Sequence, residues 1–451
     1  MSAEKQQMLD WLKQHHEIES LRVGVCDLNG VMRGKLIPIS QADKALSGGL
    51  RIPQSTTSVD IWGNDIANSQ LVYEMGDSDG ILEWTKRPIQ MIDWMGKPTG
   101  LLALWQTTEE GEPFLADPRR ALDQVLSRYK AKGLRPVVAT ELEFYLFDKT
   151  ETKPQPPLSP VTGKRLDANA VLSVDELDHF EAFFSDVYAA CELQNIPADA
   201  AIAEGGAGQF EINLLHSDDA MKAADDAFMF KRLVKGIARK HNLSASFMAK
   251  PYAERAGNGL HIHFSILDEN DKNIFDDGSE KGSDELAWGV AGLLEAMPQS
   301  TLIFAPHLNS YRRLQPHSHA PSIVSWGYEN RHAAIRIPGG PCVARRIEHR
   351  VAGADANPYL ILAAVLGAAL NGIEAKRNPV PPVRGDEVGK DTVHLPTDWG
   401  NAIETFENGR ALDNVFSPLL KGLYIACKKQ EHGVFAKQMS DFEFNTYMET
   451  A

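Results

Sequence analysis

Cysteine is scarce in this chain: 451 residues contain four, Cys26, Cys191, Cys342 and Cys427, with no C-x-x-C spacing among them. That argues against a disulfide framework or a structural zinc site, and buried reduced thiols are expected instead. Basic residues are also outnumbered, 46 against 61 acidic, for a formal charge of −15. Nucleic acid or an anionic membrane would need a basic face, so neither is an expected partner. The same charge suits a cationic small molecule or divalent metals. Long apolar runs are missing too: the longest, Tyr359 to Leu370, has 12 residues, whereas a membrane span needs roughly 20. No basic leader followed by an apolar core opens the chain, so no secretion signal is expected and the location reads as cytoplasmic. There is no internal repeat and no low-complexity tract. What remains is ordinary for a soluble globular protein, with 43% hydrophobic and 24% charged residues. Its length exceeds what one core usually serves, so two domains are expected.

Met8, Leu9 and Leu12 recur at helical spacing and predict a short amphipathic helix over 4–16. A strand from Leu21 to Cys26, a turn at 27–30 and a returning strand from Val31 to Ile37 follow. Ile81 to Leu104 reads as further small strands broken by Pro88, Gly96, Pro98 and Gly100. A polar turn at 109–113 precedes Asp117-Pro118, an N-cap with proline at the first helical position. The domain boundary is therefore placed at 112, giving domains 1–112 and 113–451. Beyond it, helices over 118–131, 175–194 and 219–241 alternate with strands over 135–148, 209–214, 244–250 and 260–267. The proline-rich 149–165 stretch reads as a surface loop. Asn357-Pro358 opens a buried helix that runs through Leu370.

Four constellations carry chemistry. Within the apolar strand 136–147, Glu141 and Glu143 point the same way, about 6.6–6.8 Å apart. Buried together they repel and lose hydration unless a cation lies between them, although an exposed strand face would carry such a pair harmlessly. Glu204 and Glu211 flank a glycine-rich turn, with Gln209 and Glu211 on one strand face; glycine there allows positive φ and close backbone approach, in a ligand site or in any tight turn. In Gly257-Asn-Gly-Leu-His261-Ile-His263-Phe-Ser265, the two histidines share a face and suit a metal or a phosphate, or a half-exposed strand. Arginines crowd the C-terminal half at Arg312-Arg313, Arg331, Arg336 and Arg345-Arg346-Ile-Glu348-His-Arg350. They read either as a surface ion-pair ladder or as a phosphate clamp around a cation-binding glutamate.

The order of these motifs resembles the glutamine synthetase family, bacterial type I: Glu-x-Glu, Glu-(6)-Glu around a Gly-Gln turn, Gly-x-Gly-x-His-x-His, Asn-Ser-Tyr-x-Arg, Asn-Arg…Ile-Arg-Ile-Pro and Arg-Arg-Ile-Glu-x-Arg. The resemblance covers 113 to the end and extends loosely to Asp27-Leu-Asn-Gly30…Arg33-Gly-Lys35. It implies an α+β protein, with an N-terminal β-grasp-like domain followed by a catalytic domain whose curved antiparallel sheet surrounds two or three Mg²⁺ or Mn²⁺ ions. By resemblance, Glu143, Glu204 and Glu211 hold one ion and Glu141, His261 and Glu348 a second nearer ATP. His263 and Ser265 line the nucleotide side, and Arg336, Arg346 and Arg350 clamp phosphates. Arg313 and Arg331 orient glutamate and the transferred phosphoryl, while Gly257, Arg313 and Arg350 bind glutamate. The activity implied is ATP-dependent ligation of an amine to the glutamate γ-carboxylate through an acyl phosphate, in homo-oligomers of six or twelve subunits with sites between neighbours.

The chain departs from that family's ammonia users. Where they carry an ammonium-binding glutamate, six residues beyond Arg313, this chain has His319, close to His317. Their Asp-Gly-Ser-Ser segment is replaced by Gln54-Ser-Thr-Thr-Ser-Val-Asp60, with Asp60 offset. A glutamate-contacting asparagine becomes Ala256, and the adenylylated tyrosine becomes Val393. The resemblance is therefore to the γ-glutamyl-amine and γ-glutamylpolyamine synthetase branch, with His319 as a candidate base. An ammonia-dependent glutamine synthetase and a non-catalytic scaffold of the same fold are the alternatives.

Overall fold

In a computed structural model of the chain, which describes residues 2–67, 69–149, 153–316, 318–386 and 392–451, two sheets divide the strands between them. The first contains β1 (Ser20–Cys26), β2 (Met32–Pro38), β3 (Leu50–Pro53), β4 (Asp79–Trp84), β5 (Gln90–Ile92) and β6 (Thr99–Thr107), in the order β2-β1-β6-β4-β3 with β5 on β6. Its pairings are antiparallel except β1 with β6. The second contains β7 (Arg135–Asp148), β8 (Ala198–Ala203), β9 (Gln209–Ser217), β10 (Leu243–Ser246), β11 (Leu260–Leu267), β12 (Trp326–Tyr328), β13 (Ile335–Ile337) and β14 (Ile347–His349). Its order is β12-β13-β14-β11-β7-β9-β8, with β10 on β7. This sheet is antiparallel except between β12 and β13, which run parallel, a correction to the expectation of a wholly antiparallel sheet. The two short strands are joined through a turn at 329–334 rather than a hairpin, so local patterning does not reveal their pairing.

The helices are α1 (Ala3–Gln14), α2 (Ala42–Leu46), α3 (Gln70–Tyr73), α4 (Pro118–Lys130), α5 (Val174–Asp178), α6 (Glu181–Leu193), α7 (Ala220–Lys240), α8 (Asp284–Phe304), α9 (Ser310–Arg313), α10 (Pro358–Ala375), α11 (Trp399–Asn408), α12 (Pro418–Phe435) and α13 (Asp441–Tyr447). The single helix expected over 175–194 is broken at His179-Phe180. Phe180 is buried against Phe210, ring centroids 5.5 Å apart and nearly perpendicular, and its φ of −118° leaves the helical region. The strand expected over 244–250 ends at Ser246. Three cysteines are buried as expected and Cys342 is half-buried; all four are unpaired thiols.

Alternation sets the core. Along β7, Pro136, Val138, Thr140, Leu142 and Phe144 are buried behind the sheet while Val137, Ala139, Glu141 and Glu143 face forward. Helices α4, α6, α7, α8 and α10 cover the buried side. α10 alone among the described helices is long and apolar enough to cross a membrane, and 78% of it is buried inside the protein. Asn357 caps it, accepting from the Tyr359 amide at 3.0 Å. A smaller core of residues between Leu12 and Leu104 lies within the first sheet, α1 and α2.

Buried polar ties join the first sheet to the rest. Asn357 Nδ2 donates to the Asp27 carbonyl at 2.9 Å. Glu431 on α12, fully buried, accepts from Asn29 Nδ2 at 3.1 Å, from the Ile61 amide at 2.8 Å and from Lys428 Nζ at 2.8 Å. Asp225 accepts from Arg87, from Arg119 twice at 3.0 Å and from Tyr359 at 2.8 Å.

Candidate active site

Register brings the predicted residues to one face of the second sheet. β7 lies between β9 and β11, so Glu143 stands opposite Glu211, and Glu141 stands opposite both Asn213 and His261. One strand further, His263 stands opposite Glu348, which stands opposite Arg336. Side-chain bonds follow this lattice. Glu141 lies between the two histidines, hydrogen-bonded to His261 Nδ1 at 2.9 Å and 2.8 Å from His263 Nε2. Glu348, 1% exposed, accepts from Arg336 at 2.8 Å and from Arg350. Arg346 Nε lies 3.3 Å from His263 Nδ1.

Glu143 is held by backbone: the Gly259 amide donates to it at 2.7 Å and Gln209 Nε2 approaches at 3.4 Å. Gln209 also donates to the Gly257 carbonyl and to Asn258 Oδ1, both at 3.0 Å. Arg313, buried, donates to the Val351 carbonyl at 2.7 Å. A side chain at Gly257 would place its Cβ 2.9 Å from Arg313 Cγ, and one at Gly259 would place it 2.9 Å from Arg313 Nη2 and 3.4 Å from Glu143 Oε1. The glycines therefore admit the guanidinium beside Glu143. Glycine is equally required at Gly206, where a Cβ would fall 1.8 Å from the Tyr145 hydroxyl. That turn carries Glu204 towards the group.

The electrostatics are those of an acidic cluster short of positive charge. Burial, then Glu143, push Glu204 up to about 7. Burial, with Glu141 and Glu143 beside it, also raises Glu211. Burial acts to raise Glu141, yet hydrogen bonds from His261 and His263 outweigh it and hold that carboxyl well below its usual range. Glu348 is lowered because His263, His261 and Arg350 outweigh its burial. Two sets of atoms lie within 4.8 Å of one another: Glu141, His263 and Glu348, and Glu141, Glu211 and His261. Carboxylate oxygens mixed with imidazole, two of the acids raised by burial and by neighbouring carboxylates, form a donor set that fits a hard divalent ion such as Mg²⁺ or Mn²⁺. His263 joins Glu141 and Glu348 in one set, and His261 joins Glu141 and Glu211 in the other.

Beside this face opens a cavity of about 570 Å³ whose lining includes Glu141, Asn213, His263, Ser265 and Arg346. Arg331 lies exposed on the turn after β12, and its charge is felt at Glu204. His319 is exposed in a bend between α9 and β12, and His317 lies outside the described residues. Asp60 is 1% exposed; its carboxylate accepts from the Trp62 and Asn64 amides at 3.0 and 2.8 Å and from Gln430 at 2.8 Å, which ties it to its own turn and α12. The motif reading passed over Asn213 and Asn258. Counting by two from Gln209 and Glu211 reaches Asn213; no comparable signal marks Asn258, whose role depends on tertiary contacts with the carbonyls of Ser246 and Met248.

Comparison with known proteins agrees with this architecture. The family model for "Glutamine synthetase, catalytic domain" matches residues 115–447. Gamma-glutamylputrescine synthetase PuuA of Escherichia coli (strain K12) is 38% identical over 460 aligned residues, covering 100% of this chain and 96% of that protein. Glutamate–isopropylamine ligase of a Pseudomonas species is 32% identical, covering 83% of this chain and 82% of its own. Among solved structures, the "GmaS/ADP complex-Conformation 1" superposes with a TM-score of 0.85 at 27% identity, covering 98% of this chain and 99% of that one.

Proposed function

The chain belongs to the glutamine synthetase family, and on that premise we propose that it joins an organic primary amine to the γ-carboxylate of glutamate, using ATP and two or three Mg²⁺ or Mn²⁺ ions and passing through γ-glutamyl phosphate. As a carbon–nitrogen ligase it accords with relatives named for putrescine and isopropylamine. The observation that carries the reading is the convergence of Glu141, Glu143, Glu211, Glu348, His261 and His263 on one sheet face. The cavity holding Ser265 and Arg346 adjoins it and falls within the volume of ordinary small-molecule sites.

Glu143, Glu204 and Glu211 would hold one ion, and Glu141, Glu348 and the paired histidines would hold the others. When bound, such ions neutralise the charge of the transferring phosphoryl group. The nucleotide sits in the cavity, against His263 and Ser265. Arg336, Arg346 and Arg350 act as donors to phosphate oxygens, Arg313, Arg350 and the bare backbone at Gly257 receive glutamate, and Arg331 meets the phosphoryl group. The incoming amine loses a proton to a base, for which His319 is the candidate. In this reading residues 1–112 form a β-grasp-like domain, residues 113–451 the catalytic domain, and sites lie between subunits of a cytoplasmic ring of six or of a double ring of twelve.

Measuring ADP release with glutamate and either NH₄⁺ or a panel of primary amines tests the proposal. Higher kcat/KM for amines than for ammonium is expected. Ammonium as the best substrate would make the chain an ammonia-dependent glutamine synthetase, and no metal-dependent turnover with any of them would make it a scaffold.

A further inference from the structure

A strained apolar segment lies against the turn that carries Glu204. The Leu172 amide donates to the carbonyl of Ala203, the residue before Glu204, at 2.8 Å, and the Ser173 amide donates to the Ala170 carbonyl at 2.9 Å. Both ends of the segment are therefore fixed, and Ser173 goes on to cap α5. Yet Val171, Leu172 and Val174 are 60%, 70% and 67% exposed. Leu172 has a φ of 59°, a left-handed conformation that a branched apolar residue adopts only at a conformational cost. Glycine or asparagine would adopt it readily, so the leucine side chain is retained against a conformational preference.

The position of this patch suggests its occupant. A Cβ added at Gly205 would lie 3.8 Å from Val171 Cγ2 and 3.5 Å from Ala256 Cβ. The residue next to Glu204 is thus flanked by carbon on two sides, from Val171 and from Ala256. Beyond Glu204 lie further carboxylates, since Glu143 and Glu141 both act on its carboxyl. A small cation would be drawn to the acidic end, but bare ammonium has no carbon to cover the apolar side. A molecule with a cationic head and a hydrocarbon tail matches both.

We propose that Val171, Leu172 and Val174 form the wall along which the carbon chain of a primary alkylamine lies while its nitrogen faces the acidic group at the Glu204 turn, whose carboxylate itself is left to the metal. This rests on the glutamate–amine ligase reading above and adds to it the residues that select the amine. An organic chain against this wall supplies contact area that ammonium lacks. A fully buried methylene is worth about 0.8 kcal/mol, or about fourfold in kcat/KM, and a half-covered one about twofold.

The test measures kcat/KM for the n-alkylamines from methylamine to hexylamine, with hydroxylamine as a nucleophile without carbon, on the full chain with ATP, glutamate and Mg²⁺. In the unmodified protein kcat/KM is expected to rise about two- to fourfold per methylene over the first few carbons. Leu172→Asn keeps a residue that tolerates the left-handed backbone while removing its hydrocarbon, and Val171→Ser removes that of its neighbour. In the double variant the hexylamine-to-hydroxylamine ratio of kcat/KM is expected to fall about tenfold; using a ratio cancels any loss common to all nucleophiles. A chain-length slope that is flat in the unmodified protein, or unchanged in the variant, overturns the proposal while hydroxamate formation leaves the ligase reading standing. An unchanged slope with a lower assembly mass in the variant also overturns it and assigns the patch to a second copy of the chain. Absence of both hydroxamate formation and ADP release with every nucleophile overturns the ligase reading and this inference with it.

Discussion

Titrating the metal-free protein with Mg²⁺ or Mn²⁺ at pH 6 is expected to release about one proton per site from Glu204, and more if Glu211 contributes. The reason is the crowding of acids on one sheet face. Burial, then Glu143, push Glu204 up to about 7 from an ordinary 4.5. At pH 6 about 90% of such groups carry a proton, which a cation must displace. At pH 8.5 only about 3% do, so Glu204 then releases almost none. The stability effect has a definite sign. A carboxyl whose folded value is raised binds more protons folded than unfolded between 4.5 and about 7. The metal-free protein therefore loses stability as pH rises through that window, by about 3 kcal/mol for Glu204 at about 1.36 kcal/mol per pH unit, and the loss levels off above it. Saturating metal is expected to remove this slope. Calorimetric titration in two buffers of different ionisation heat counts the protons, and urea unfolding from pH 4.5 to 8, with and without Mg²⁺, reads the slope. Saturable metal binding at pH 6 with no proton released would refute the reasoning, as would an unchanged count in Glu204→Gln.

Glu141→Gln or Glu143→Gln should lower ligation by at least about a hundredfold, with the mass of the assembly in solution unchanged, because each keeps the shape of a charged donor while removing its charge; ADP release checks the first point and light scattering the second. Methionine sulfoximine should inhibit progressively and only with ATP present, since its phosphorylated form imitates the tetrahedral adduct; equal inhibition without ATP would count against an acyl phosphate. Replacing His319 by glutamate should raise the ratio of ammonium to alkylamine kcat/KM, because a full negative charge attracts NH₄⁺ where a mostly neutral imidazole does not. Asp225→Asn should destabilise the fold by about 3–5 kcal/mol in urea, because it leaves Arg119 buried without its counter-charge.

The strand that carries the site was legible because its pattern is local. β7 runs over the predicted 135–148 and β11 over the predicted 260–267, since two-residue alternation identifies both the element and its forward face. Which histidine meets which carboxylate was not legible. That depends on the register of β11 against β7, where His261 pairs with a residue 120 positions earlier, and no local signal encodes such an offset. The same limit applies to the parallel pairing of β12 with β13. The break between α5 and α6 was hidden for a different reason: Phe180 leaves the helix to reach Phe210 in the core, so tertiary packing overrides a stretch of good helical propensity. Asp60 stood at a suggestive place in the sequence, yet its hydrogen bonds go to its own turn and to Gln430 on α12.

The polar ties between the first sheet and α12 have a consequence for the order in which the chain can mature. Asn29 and Glu431 are 402 residues apart, yet they share a buried hydrogen bond. At about 5–20 residues per second, a ribosome delivers the glutamate some 20–80 s after the asparagine. During that interval the β1–β2 hairpin can pair and Asn29 can reach the Val59 carbonyl, but the Glu431 carboxylate that Asn29 and the Ile61 amide also meet has not yet been made. The N-terminal unit therefore completes its buried hydrogen bonds only when α12 arrives. A nascent chain that stops short of α12 leaves the Ile61 amide facing water in place of Glu431.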